Sequence, residues 1–415
     1  MSSTAGSIPA LQVHTQLLDD DDSLLEWMSP QHPVAFLRNG EGMVGFGSTH
    51  DMLAPSIPML ADMWSHAVEA ADVVDEVGLP GTGLVAFGSF AFSPGSAHHS
   101  MLTVPAVIVG RRNGVTWITR VRGGYPVERA PLGPAFTVQF APGAQGEQGY
   151  VRSVREAVTR ITAGEAQKVV LARDLVGGIP SRAALHGMPD LRTVVARLAD
   201  AYPDTFTFAV GGLIGSSPET LVTVRGGIAT ARVLAGTSAR GADDAADALA
   251  ETTIASSPKD LAEHAFAVQS VLASLADHAS EVRATSPYPL RLPNLWHLAS
   301  DVSATLTDRS TALDLVAALH PTAAVAGFPT SVAMRMIDEL EPFDRGRYAG
   351  PVGWVDAAGD GEWAVALRCA LFEDETVTAY AGAGIVADSV PERELAETEL
   401  KFRPIVDALR PALTE

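Results

Sequence analysis

Ala379-Tyr380-Ala381-Gly382-Ala383-Gly384-Ile385-Val386-Ala387-Asp388-Ser389 leads straight into Val390-Pro391-Glu392-Arg393-Glu394-Leu395-Ala396-Glu397-Thr398-Glu399-Leu400-Lys401. The first half is a β-type run that stops at two glycines and turns through Asp388-Ser389. The second half starts a helix at Pro391, a favoured first helical position. On that helix Glu394, Glu397 and Lys401 are spaced i, i+3, i+7 and share a sector of roughly 60°. Leu395, Phe402, Ile405, Val406 and Leu409 fill the adjoining sector, so the acidic row borders the face predicted to be buried. Two carboxylates there suit a hard cation such as Mg²⁺, with Lys401 balancing charge. The same spacing also suits a solvated, salt-bridged helix face.

Working outward, hairpins and helices interleave without regular βα alternation. Short β-type runs separated by turns fill 33–140, broken by a helix expected over Pro58–Val77. The loop 141–149 is the one candidate linker. Beyond it the pattern predicts a helix (150–163), a strand (167–176), a helix (190–201) and a hairpin-like pair (205–214 and 220–234). A long helix over 258–279 has a strong start in Ser257, Pro258 and Asp260. A strand near 294–306, a helix at 311–319 and strands at 348–357, 363–372 and 376–386 complete the list. This order favours α+β with antiparallel sheets over a doubly wound parallel sheet. Residues 1–30, with the acidic run Asp19-Asp20-Asp21-Asp22, read as weakly ordered.

The 415 residues are 47% hydrophobic, ample for a large core. No apolar run reaches the ~20 residues that span a bilayer, and no basic region precedes an apolar one at the N-terminus. One cysteine, Cys369, excludes an internal disulfide and fits a reducing cytoplasm. A net charge of −20 argues against nucleic acid and anionic membrane as partners. An anionic small molecule remains compatible wherever arginine, lysine or a metal is concentrated.

Four positions carry possible chemistry. Lys168 opens a strand continuing Val169-Val170-Leu171, where apolar surroundings favour the neutral amine that a general base requires; the pattern alone favours the other reading, an edge-strand or snorkelling lysine. Glu219, after Gly215-Ser216-Ser217-Pro218 and before Thr220-Leu221-Val222, is either a carboxylic acid kept protonated by burial or a turn residue in water. Arg368 interrupts an apolar strand and needs an anion if it points inward, a substrate carboxylate or a protein partner. Glu263 lies about 160° from its helix's expected stripe of Leu261, Ala265, Val268, Leu272 and Leu275, which reads as solvent-facing. Gly81-Thr82-Gly83 precedes a strand and is no dinucleotide fingerprint, and His98-His99 lacks a third ligand.

Seven blocks in one order make residues 150–410 resemble the chorismate-utilising enzymes, and within them the isochorismate synthases. They are Gln167-Lys168-Val169-Val170-Leu171-Ala172-Arg173, Ser217-Pro218-Glu219, Leu234-Ala235-Gly236-Thr237 and Lys259-Asp260-Leu261-Ala262-Glu263-His264. His320-Pro321-Thr322-Ala323-Ala324-Val325-Ala326-Gly327, Tyr348-Ala349-Gly350-Pro351-Val352-Gly353 and the stretch from Gly382 to Lys401 follow. The resemblance implies a single catalytic domain over 31–415, with a variable first half (31–140) and a catalytic region (150–410), its antiparallel sheets packed together and helices outside. It implies Lys168 as general base, Glu219 as general acid and Mg²⁺ on Glu263 and Glu397, with Glu394 beside them. Tyr348 and Arg368 would hold the enolpyruvyl carboxylate of chorismate, and Gly236, Thr237, His297, Gly382, Gly384 and Lys401 would be further pocket contacts. The implied activity is isomerisation of chorismate to isochorismate by a cytoplasmic monomer feeding menaquinone or siderophore synthesis. Salicylate synthase and a non-catalytic ligand-binding relative are the alternatives.

Overall fold

In the strands, alternate apolar residues face opposite sides, and that alternation builds a layered molecule. The computed structural model describes residues 11–19, 23–121, 127, 129–180, 189–291 and 295–410, without the side chains of Lys259, Glu263 and Leu295. Within them one sheet runs Phe140–Pro142, Lys168–Gly178, Thr376–Ile385, Cys369–Glu373, Leu213–Ser217, Phe206–Val210 and Val34–Arg38. It continues through Glu41–Phe46, Val107–Arg112, Val115–Val121 and Gln12–Leu17 to the edge at Asp72–Asp75. A second sheet runs Ala279–Ala284, Leu295–Leu306, Ile228–Ala239, Thr220–Arg225, Gly361–Val365, Pro351–Asp356, Val85–Ser89, Ser100–Val104 and His50–Ala54. Neighbours along both are antiparallel, except for the parallel pair Gln12–Leu17 and Asp72–Asp75.

Val34, Phe36, Phe206 and Phe208 belong to the core between the sheets, with Phe87, Trp354 and Trp363 from the other side. Each such ring contributes about 2 kcal/mol by burial. Ala35, Leu37 and Ala209 face the opposite way, onto Val194, Val195 and Leu198 of the helix Arg192–Ala201 and Phe402 and Ile405 of Pro391–Ala408. The helices Ile57–Ala70, Pro258–Ala276 and Ala312–Leu319 pack beside the second sheet. The α+β class with antiparallel sheets and outer helices is therefore the observed one.

Several local expectations are corrected. Residues 1–30 are not weakly ordered throughout: Gln12–Leu17 is a strand paired on both edges with Val13 buried, and Leu24–Trp27 is a 3₁₀ turn. The helix expected to reach Val77 ends at Ala70, and Asp72–Asp75 becomes the sheet edge. The strand expected over 205–214 is a hairpin, turned by Gly211 and Gly212 at φ of +58° and +81°. The helix Thr330–Leu340 went unread in the sequence. The candidate linker is tied down: Phe140–Pro142 pairs with the Lys168–Gly178 strand, and the Ala144 and Gln145 amides donate to the Asp174 carboxylate at 2.9 and 2.8 Å.

The most consequential correction concerns 363–372, which is two strands in two different sheets. Gly361–Val365 lies in one sheet and Cys369–Glu373 in the other, with Arg368 at the crossing in a left-handed conformation, φ +49°. The chain crosses a second time alongside, from Leu213–Ser217 to Thr220–Arg225, with Pro218 and Glu219 at the step. The crossings are bonded together: Ser216 N donates to Arg368 O at 3.2 Å and Val365 N to Glu219 O at 3.1 Å.

Candidate active site

Where the sheets exchange strands, backbone leaves the ladder and side chains are free to line a hollow. A cavity of about 240 Å³ opens there, lined by Lys168, Glu219, Gly236, Thr237, His297, Tyr348, Arg368, Gly382, Gly384, Glu394, Glu397 and Lys401. Every site residue expected from the sequence thus faces one hollow, save Glu263, whose side chain lies outside those described. The buried face of Pro258–Ala276 runs through His264, Ala267, Val268, Val271 and Leu275, one residue round from the expected stripe, and Ala265 is exposed. Helical position 263 therefore flanks that face, about 100° from its centre, instead of opposing it.

Lys168 is the first residue of its strand, in register with Phe328, whose ring stacks 5.6 Å from Phe266 of the helix Pro258–Ala276. Five residues along, buried Arg173 reaches the C-terminal helix: its Nε donates to Thr398 Oγ1 at 2.8 Å, and it pairs with Glu399 and lies over the Phe402 ring. That clamp fixes the helix so that Glu394 and Glu397 border the cavity. Lys401 spans Glu397 at 2.6 Å and the Gly382 carbonyl at 2.8 Å, joining the helix to the glycine-containing strand Thr376–Ile385. A methyl group at 382 would meet the Leu171 carbonyl at 2.9 Å and the Tyr348 hydroxyl at 3.2 Å, so glycine is required for this approach.

Electrostatics divide the cavity by function. Burial pushes the Glu219 carboxyl up to about 7, against the pull of Lys168, Lys401 and Arg368. Part of the residue is open to the cavity, but the carboxyl lies well below the protein surface. For Glu397 burial acts upward too, yet the Lys401 ammonium wins and the carboxylate stays below its usual value. Burial, reinforced by Arg368 and Lys401, takes His297 down to about 4, so the ring is neutral. Its Nδ1 lies 3.2 Å from the Gly236 carbonyl, an acceptor only; a proton there leaves Nε2 as an acceptor. Burial lowers the Arg368 guanidinium, with Tyr348 and Glu397 opposing. One hollow thus offers an acid protonated near neutrality, an amine, a guanidinium and carboxylate oxygens.

Asp260, Tyr380 and Arg345 are among the lining residues not read from the sequence as part of a site. Asp260 was legible only as a helix-cap residue; its backbone N–H donates to Ser257 Oγ at 3.3 Å while its side chain abuts Gly236. Tyr380 stacks on Tyr348 with ring centres 5.2 Å apart. Arg345 sits in a loop where no periodicity marks it. Among the described residues, no three carboxylates, imidazoles or thiols gather closely enough to hold a metal. Glu394, Glu397 and Asp260 nonetheless bring hard oxygen donors from two helices to the same cavity, the donor chemistry that Mg²⁺ prefers.

Residues 134–410 match the family model described as chorismate binding enzyme. The chain belongs to that family. Among its relatives, isochorismate synthase DhbC of Bacillus subtilis is 39% identical over 63% of this chain and 68% of its own length. Isochorismate synthase MenF of the same organism is 30% identical over 79% of this chain and 75% of its own. The solved structure of MenF, the menaquinone-specific isochorismate synthase from Escherichia coli, superposes with a TM-score of 0.80 at 25% identity, covering 97% of this chain and 96% of that one. The α+β fold of antiparallel sheets and helices is thus shared with that solved isochorismate synthase. No helix among the described residues is long and apolar enough to cross a membrane.

Proposed function

We propose that this protein is an isochorismate synthase, a Mg²⁺-dependent isomerase that adds water at C2 of chorismate and expels the C4 hydroxyl. The observation that carries the reading is the pairing, in one cavity, of Lys168 with a Glu219 carboxyl held near 7 by burial. Lys168 takes a proton from the attacking water, and the new C–O bond forms at C2. The ring double bonds shift, the C4–O bond breaks, and Glu219 delivers its proton to the departing hydroxyl, which leaves as water. One water enters and one leaves, so no redox partner is required. Glu219 can serve as an acid near neutral pH because burial holds its carboxyl protonated before substrate binds.

Arg368 and Tyr348 grip the enolpyruvyl carboxylate, and neutral His297 accepts a hydrogen bond from the substrate. Glu263 and Glu397 would hold Mg²⁺, with Glu394 directly or through water, and the ion would neutralise and orient the ring carboxylate. We place the enzyme in the cytoplasm as a monomer whose product enters menaquinone or siderophore assembly.

Incubation with chorismate and Mg²⁺, with and without EDTA, followed by product analysis tests this. Isochorismate formed only without EDTA supports it. Pyruvate with fluorescent salicylate indicates a salicylate synthase, and tight chorismate binding without turnover indicates a non-catalytic relative. Lys168→Ala should lower turnover at least about 100-fold with the fold intact; an unchanged rate removes Lys168 from the mechanism.

A further inference from the structure

The strand that carries Lys168 has an incomplete edge. Along one side Lys168–Gly178 pairs continuously with Thr376–Ile385. Along the other, Gly327–Phe328 covers only Lys168 and Val169, and Phe140–Pro142 covers only Leu175 to Gly177. Among the described residues no strand pairs with the interval between them. Its groups are met instead by two loops and two side chains: Val170 N donates to Ala326 O at 2.9 Å, Val170 O accepts from Arg345 Nη2 at 2.7 Å, Ala172 N donates to Glu341 Oε1 at 2.7 Å, and Asp174 O accepts from Gly143 N at 3.0 Å.

We propose that the Glu341–Arg345 ion pair is a positioning device that takes the place of a missing strand and sets where Lys168 and Tyr348 meet the substrate. The proposal rests on the reading of Lys168 as general base. The pair is bidentate, with Arg345 Nε on Glu341 Oε2 at 2.8 Å and Nη2 on Oε1 at 2.6 Å, and both side chains are almost wholly buried. Arg345 Nη1 also donates to Val325 O at 3.0 Å, in a loop that lines the cavity. Its guanidinium lies 4.4 Å over the Phe92 ring and 6.0 Å from that of Tyr348, whose backbone N–H donates to Arg345 O. One planar cation therefore touches the base strand, the 325 loop and the tyrosine. Four directed hydrogen bonds on a rigid fork transmit position in a way a lysine cannot. Because the protein takes up these bonds, Arg345 acts through Lys168 and Tyr348 and is not itself a catalytic residue.

Arg345→Lys and Glu341→Gln test this, measured on the Mg²⁺-loaded full chain. The first keeps a charge beside Glu341 but cannot span both carbonyls and the carboxylate. The second keeps an oxygen for the Ala172 N–H. Both variants should retain the parent circular dichroism. Arg345→Lys should lower kcat for chorismate about 100-fold, as misplacement by an ångström does, with KM within about threefold. Lower thermal stability with unchanged kcat would leave the pair merely structural and overturn the proposal. A raised KM at unchanged kcat would make Arg345 a substrate ligand and also overturn it. If the unaltered protein does not turn over chorismate, the functional reading has failed and hydrogen exchange decides the positioning claim. Arg345→Lys must then speed exchange at the Val170 and Ala172 amides selectively, and equal protection in parent and variant rejects it.

Discussion

Folding carries the Glu219 carboxyl from 4.5 to about 7, because burial penalises the carboxylate more than Lys168, Lys401 and Arg368 favour it. Between those pH values the folded protein holds a proton that the unfolded chain has released. Stability associated with this residue is therefore complete below 4.5 and is lost as pH rises through 7, by up to ~3 kcal/mol. Glu219→Gln should thus be more stable than the parent at pH 8 and should lose that advantage near pH 4, in denaturant unfolding monitored by fluorescence. The same substitution should cost turnover at least about 100-fold. The parent's kcat should fall as pH rises through about 7, since the acid must be protonated. An alkaline limb that persists in Glu219→Gln would assign it to another group. The sequence offered Glu219 as either a buried acid or a turn residue, because a pattern of neighbours does not report depth.

Among the elements, the strand Thr376–Ile385 and the helix Pro258–Ala276 differ in how much of them was legible. The start of the helix followed from local signals, with the Ser257 side chain capping Asp260 N at 3.3 Å, whereas its end falls at Ala276, short of the expected 279, because Ala279 opens a strand. Ser257→Ala should cost about 1 kcal/mol in a denaturation curve. Its buried face was misread by one residue because His264 is polar. His264 is wholly buried, satisfied by Ala235 O at 3.2 Å and Ser300 Oγ at 2.9 Å, partners that lie 29 and 36 residues away. In the strand, Gly382→Ala should press on the Leu171 carbonyl and the Tyr348 hydroxyl. About 1–3 kcal/mol of stability should be lost, and KM for chorismate should rise as the tyrosine is displaced. Kinetics beside thermal unfolding separate the two effects; an unchanged KM would remove Tyr348 from substrate binding.

Across the whole molecule, a chain of net charge −20 gathers Lys168, Arg345, Arg368 and Lys401 around one cavity, opposed there by Asp260, Glu394 and Glu397. Overall charge therefore says little about the ligand this site selects. If Mg²⁺ binds the folded state alone, raising it to a hundred times its Kd should stabilise the protein by about 2.7 kcal/mol. The corresponding rise in Tm should disappear in Glu397→Gln and on adding EDTA. A shift of equal size in that variant would place the ion elsewhere.

The amino-acid order by itself determined the α+β class, most helix and strand positions and, through seven spaced blocks, the family. Those features are encoded by neighbours within a turn or a strand, where periodicity, caps and turn residues act. The tertiary structure alone decided that Glu219 and Arg368 stand at adjacent crossings between two sheets, and that Arg345 closes a gap in the edge of Lys168's strand. Each of these depends on segments more than a hundred residues apart meeting in a low-dielectric interior. Burial and partner charge exist only once that packing is complete.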